Sequence, residues 1–405
     1  MIRIYKNIAI KKSLIFIHYY LKRVFNMFRK DVRESFAVKN KLLNTIFSLI
    51  SGKPTGNEYR FSINNPMFVV LFNIVVLISL VLCIVVLGNI DSLFKYLLYL
   101  YVSVLICGVF RVFQVTHMHH CIHGSFFKSN KINNLYADII SGLIFVQNRK
   151  AYKKDHIAHH KRKFFTTEND SDARALIYLG FLPGKSKRFY YIKVLLAIFS
   201  PIFHGKFLNT RLKGVFVGSL IITKILACFS ALTITLFATL DFELTFFAVI
   251  LPLFILYNYS ALLQFLTEHL WLTRDSAPVN LDEYLVRCWG RFCGIEKRPG
   301  FIGTTLWLLH LLFAAIPFRF GCLVSDLPAH DWHHVCGYLK HNPASWNEGV
   351  YLRQGAIDNG DKLGLAQREI WGLLDALDRV FSGLESSTIG ASEECQSCDQ
   401  LLSEV

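Results

Sequence analysis

Acidic residues are scarce in this chain, with 29 Asp and Glu against 44 Lys and Arg, a formal charge of +15. Charged residues of both signs make up only 18% of the 405 positions, whereas 53% are hydrophobic and the mean hydropathy is +0.37. That balance excludes the two or three soluble domains that the length alone would allow. The ten cysteines build no framework: they are scattered, and Cys83, Cys107 and Cys228 lie inside apolar runs, so a disulfide scaffold is excluded. The one close pair, Cys395 and Cys398, sits in an acidic tail with no second pair to complete a zinc site. No G-x-G-x-x-G follows a strand, and no haem-attachment or iron–sulfur cysteine pattern is present, so electrons for any redox chemistry come from outside. No internal repeat is evident. Ser13–Leu21 is short, contains His18 and has no small-residue cleavage site before Lys22, so an interfacial basic helix is expected there rather than a secretory leader.

Long apolar runs stand in place of these features. Crossing ~30 Å of hydrocarbon takes about 20 apolar residues. Met67–Leu87 and Leu93–Val115 meet that length around the turn Gly88–Asp91, and Val215–Leu240 and Leu244–Phe265 meet it around Asp241 and Glu243. Neither turn contains Lys or Arg, whereas residues 1–66 carry thirteen and residues 116–212 carry sixteen. Basic residues are also frequent after Arg274, so by the positive-inside rule both termini and residues 117–123, 156–160 and 330–334 are expected to face the cytoplasm. The basic residues flank apolar runs, so orientation in a membrane accounts for them and nucleic acid does not. Leu135–Gln147 and Tyr190–Phe203, the latter closed by Pro201, are too short to cross and read as interfacial or re-entrant. Phe301–Leu323 is long enough, but Pro317 and Arg319 interrupt its end, and it reads as in-plane or re-entrant with His310 packed within it. Ala366–Leu384 carries a helical stripe through Ile370, Leu373, Leu374, Leu377, Val380 and Phe381. Beyond it the tail turns acidic and Ser-rich and is expected to be disordered.

Ten of the fifteen histidines fall in three short clusters: four in 117–123, three in 156–160 and three in 330–334. On a helix, residues three and four apart share a face, so His119 with His123, His156 with His159 and His160, and His330 with His333 and His334 each converge. A single such pair is commonly a packing feature; an H-x-x-x-H and two copies of H-x-x-H-H in one chain are a metal site. Eight imidazoles exceed what one structural zinc takes, and no thiolate pair joins them. Two metals fit the count, and iron is favoured because nitrogen-ligated Fe(II) keeps open positions for dioxygen. The apolar runs carry almost no polar groups, which argues against a transporter. The expected fold is therefore an all-α polytopic membrane protein, four transmembrane helices in two hairpins, with a cytoplasmic helical cap holding a histidine-ligated di-metal site. Its expected divisions are a basic segment at 1–66, a membrane catalytic domain at 67–340, a helical segment at 341–384 and the tail at 385–405.

His119-His-Cys-Ile-His-Gly-Ser-Phe-Phe127, Asp155-His-Ile-Ala-His-His160 and His330-Asp-Trp-His-His334 resemble the three histidine boxes of the membrane fatty acid desaturase superfamily. The resemblance covers roughly residues 65–340. It implies a non-haem di-iron centre that uses dioxygen and two electrons to attack an unactivated C–H bond of a lipid or acyl substrate. It also implies an external donor such as ferredoxin, rubredoxin or cytochrome with its reductase. Carried over residue by residue, it implies His119, His123, His156, His159, His160, His330, His333 and His334 as ligands, and His269 at the end of the fourth span as a ninth. The chain departs from the pattern at His120, where an acidic residue is common, and His117 precedes the box, so each is an alternative ligand or a hydrogen-bonding neighbour. Asp155, Glu268 and Asp331 are candidates to orient imidazoles through their other nitrogen. Desaturation is the expected reaction; hydroxylation or ketone formation within the same superfamily is the alternative.

Overall fold

The computed structural model describes residues 31–60, 65–272, 277–336 and 345–387. The expected helix at 13–21 with His18, the Cys395/Cys398 pair and almost all of the acidic tail lie outside the described residues.

After a short amphipathic helix, α1 (Lys41–Ser51), the first apolar run forms α2 (Pro66–Gly88). The Asn65 side chain accepts from Met67 N and Phe68 N, and Pro66 occupies a first-turn position whose N–H has no helical partner to lose. The second helix, α3, runs from Phe94 to His123. Thirty residues at ~1.5 Å each span about 45 Å, against ~30 Å of hydrocarbon. Its last turns therefore project beyond the apolar layer, and they carry the first box. A π-helical turn at Phe113–Met118 shifts the phase of the helix just before that box.

Helix α4 (Asn130–Leu143) packs on the third apolar helix, so closely that a Cβ on Gly142 would stand 2.6 Å from Thr223 O. α5 (Arg149–His159) carries the second box, and α6 (Ser171–Tyr178) follows it. α7 (Lys187–Ala197) and α8 (Pro201–Phe216) meet at a 74° bend. Pro201 thus starts a new helix rather than closing an apolar stretch. The third run is shorter than expected: α9 is Ile221–Leu240, because Val215 and Phe216 still belong to α8. α10 (Phe242–Glu268) is π-helical over Phe246–Leu256 and contains Pro252. Proline has no N–H, so the carbonyl five residues back, Phe247 O, loses its donor; Ser103 of α3 supplies one at 2.6 Å. Arg211 of α8 closes the same region by donating to Ile144 O, Phe145 O, Leu253 O and the Asn258 side chain.

α11 (Leu281–Val286) and a three-residue strand β1 (Gly290–Phe292) lead to α12 (Gly300–Gly321), which crosses α3 in backbone contact: a Cβ on Gly108 would stand 1.5 Å from Phe320 O. α12 passes as a fifth helix long and apolar enough to cross a membrane, and the bent α7–α8 pair would make a sixth. The expected count of four thus has one further candidate of sufficient length. α13 (His330–Cys336) carries the third box and α14 is Ser345–Asp358. The expected helix over 366–384 is shorter. Glu369–Trp371 is a strand, β2, paired in parallel with β1, and only Leu373–Glu385 is helical, as α15. The fold is mostly helical, with this one sheet as the exception to an all-α reading. α15 buries Leu377, Val380, Phe381 and Leu384, but Leu374 faces outward.

Replacing Ser103 with Ala leaves Phe247 O without its donor inside the bundle. The expected loss is about 1–3 kcal/mol of stability, read as a lower melting temperature in detergent; an unchanged melting curve would show that the proline break is satisfied another way.

Candidate metal centre

Four elements deliver the histidines to one place. α3 ends at Gly124, whose left-handed φ of 74° terminates the helix directly after His123. α5 is N-capped by the Asn148 side chain on Ala151 N and turns His156 and His159 inward. α10 stops at Glu268, and His269 leaves it in extended conformation, bridging to Cys288. α13 presents His330, His333 and His334 from two turns of helix.

The imidazoles gather as two groups. One nitrogen each of His119, His123, His156 and His333 lie within 4.8 Å of one another, and so do those of His159, His269, His330 and His334. His160 sits between the groups, its Nε2 2.8 Å from His156 Nε2 and 3.1 Å from His333 Nε2, its ring 4.4 Å from that of His334. Other Nε2–Nε2 separations are 2.9 Å for His119–His333, 3.0 Å for His123–His156, and 3.1 Å for both His269–His330 and His330–His334. Two nitrogens each about 2.1 Å from one ion and about 90° apart lie about 3.0 Å from each other. The donor set and its spacing therefore fit two cations.

The other ring nitrogens are held in the manner of metal-binding imidazoles. His159 Nδ1 meets Asp170 at 2.8 Å, His334 Nδ1 meets the Tyr284 hydroxyl at 2.7 Å, and His269 Nδ1 meets Arg287 O at 3.3 Å. These contacts direct Nε2 toward the interior. Burial, reinforced by neighbouring imidazoles, holds His156, His160, His269, His330, His333 and His334 well below the usual imidazole range, so they stay neutral with a free lone pair. His159 differs. Burial pulls it down too, but Asp170, Asp172 and Glu268 together outweigh that and push it up to about 9.

The remaining candidates fall elsewhere. His117 is turned away by the π-helical turn, with Nε2 3.2 Å from Asn73 Nδ2 and Nδ1 2.9 Å from the Tyr136 hydroxyl. His120 meets Asp326 at 3.2 Å and Ser125 at 3.3 Å, beside the first group but outside it. Glu268 lies 3.6 Å from His330 Nε2 and 3.8 Å from Arg291. Asp155 accepts from Gln147, and Asp331 from Arg353, with no imidazole bond to either among the described residues. His204 is half-buried, its Nε2 2.9 Å from Ile198 O. Sequence reasoning missed Asp170, Tyr284 and Asp326. Asp170 left a trace, since an Asp followed by Ser-Asp opens α6 as its N-cap.

The class this fold defines is a helical bundle with helices long and apolar enough to cross a membrane, carrying at its edge two adjacent all-imidazole groups that could hold metal ions. Residues 94–295 match the model of the family described as Fatty acid desaturase, and the chain belongs to that family. No curated protein and no solved structure matches it. The matched stretch contains the first two boxes and His269; the third box lies beyond it, yet converges on the same groups.

Because His159 carries a proton at neutral pH, an ion entering its group expels that proton. Metal affinity there should fall about tenfold per pH unit below about 9. Asp170→Asn should flatten that dependence while weakening the site about 10–100-fold, measured by metal titration at several pH values; an identical pH profile in the variant would contradict the role given to Asp170.

Proposed function

We propose that the chain is an integral membrane desaturase that introduces a double bond into the acyl chain of a lipid or thioester. The observation that carries this reading is the convergence of nine imidazoles, eight in two groups of four with His160 between them, where apolar helices end. In it, His119, His123, His156 and His333 hold one iron, His159, His269, His330 and His334 the other, and His160 stands between. Two irons held this way supply dioxygen-dependent, two-electron oxidation of a C–H bond. The residues of the chain orient the ligands, exclude water from the second group and leave an edge of the first open at His123, the most exposed of the nine. Near that edge Lys150, Lys153, Lys154 and Lys161–Lys163 are exposed, a basic face suited to an acidic ferredoxin, rubredoxin or cytochrome served by its reductase. A hydroxylase or ketolase of the same superfamily remains the second reading, since both reactions begin at the same C–H bond.

We assign the termini and the metal centre to the cytoplasmic side, with four crossings: α2, α3, α9 and α10. In this assignment α12 lies along the interface. Two contacts support it: before α12, Lys297 N donates to Ser35 Oγ, and near its end Arg319 Nε donates to Leu49 O. Its 22 residues extend about 33 Å, and both ends nonetheless meet one short N-terminal stretch. Reporters at positions 90 and 242 should appear outside, and those at 60 and 165 inside; a reporter at 298 on the opposite side from one at 325 would make α12 a crossing.

Purified gently, the protein should hold about two irons per chain. His159→Ala or His333→Ala should lower the iron and abolish turnover, and His204→Ala should do neither. With reductase, donor and dioxygen supplied, mass spectrometry should find a product lighter by two hydrogens. A product that gains one oxygen atom, carrying label from heavy dioxygen, would replace desaturation with hydroxylation.

A further inference from the structure

The third box depends on a polar contact from outside the stretch that matches the family. α13 has only seven residues, too few to be stable on its own. Its setting matters more than that of a longer helix, because it serves both groups: His330 and His334 enter one, His333 the other. At about 100° per residue, His333 and Asp331 lie on opposite flanks of the His330/His334 face. Whatever holds Asp331 therefore fixes the rotation that aims all three rings.

Asp331 is wholly buried, and Arg353 of α14 grips it with a fork: Nε to Oδ1 at 2.9 Å and Nη2 to Oδ2 at 3.0 Å. The guanidinium is fixed in turn, Nη2 donating to Leu365 O at 2.8 Å and Nη1 to Glu369 Oε1 at 2.9 Å. Glu369 stands on β2 and also accepts from Lys53, which pairs with Asp31. The guanidinium lies flat against β1, where Gly290 leaves room: a Cβ there would stand 2.7 Å from Nη2 and 2.8 Å from Cζ. A buried ion pair contributes little net stability but specifies register strongly, since any other setting leaves bare charges in an apolar interior.

We propose that Arg353 is a positioning residue for the metal centre: its fork on Asp331 sets the rotation of α13 and so aims ligands of both ions. This rests on the two-iron reading above. Three variants test it. Arg353→Met removes the fork, Arg353→Lys keeps the charge without the fork, and Gly290→Ala pushes the guanidinium off its seat with every charge retained. Arg60→Met serves as the control, because it removes an exposed ion pair to Glu348 on the same helix. The measurements are iron per chain, the Mössbauer spectrum of the bound iron, and hydrogen exchange of residues 327–336 in metal-stripped protein.

The expected result is a loss of metal affinity of about 10–100-fold in Arg353→Met, a smaller loss with an altered spectrum in the other two, and faster exchange across 327–336 in all three. Arg60→Met should match the parent. If Arg353→Met does not fold, the milder variants decide. Parental iron content, spectrum and exchange in Arg353→Lys and Gly290→Ala overturn the proposal. A parent chain that binds no metal ion overturns the functional reading instead, and the two failures are told apart by that first measurement.

Discussion

Nine imidazole rings share one small volume, with nitrogens about 3 Å apart, and the rest of the molecule has to make that tolerable. Buried nitrogen lone pairs that face each other without a proton or a cation between them repel and are left unsolvated. Two cations would convert the same geometry into ligand bonds. The elements around the centre serve this arrangement: α3 is long enough to clear the apolar layer before its box begins, α10 breaks off at Glu268 so that His269 can turn inward, and the sheet with α14 secures the seven-residue α13.

The apolar layer imposes a second constraint, that every backbone group find its partner within the protein. At two of the breaks a side chain meets the freed backbone groups. Ser103 answers Pro252, and Arg211 gathers carbonyls from the end of α4 and the π-helical part of α10. Small residues set the distances: Gly108 and Gly142 let backbones approach to separations no side chain would permit.

Much of this could be read from the sequence because its signals are local. Apolar runs located the four long helices, the first within a residue at each end but the second eight residues short at its C-terminal end and the third six residues early at its N-terminal end, and i, i+3, i+4 spacing identified the convergent rings of each box. What could not be read depends on phase or on distant partners. The histidine spacing alone left His117 an alternative to His119; His117 lies within the π-helical turn and His119 just beyond it, and only the latter joins the imidazole group. β1 and β2 are three residues each, with 76 residues between Phe292 and Glu369, below the reach of any periodicity. The stripe through 366–384 blurred that strand into the helix behind it, since Ile370 happens to fall in helical phase with Leu373 and Leu377. Asp170, Tyr284 and Arg353 hold or brace ligands from other elements, and nothing in their immediate neighbours announces it.

The central claim is that the nitrogens converge because they surround two irons. X-ray absorption at the iron edge of the purified, active protein tests it most directly. The account predicts a first shell of nitrogen and oxygen at about 2.1 Å, outer-shell scattering from about four imidazoles per iron, and no sulfur at about 2.3 Å. A sulfur shell, or scattering from only one or two imidazoles per iron, would contradict it.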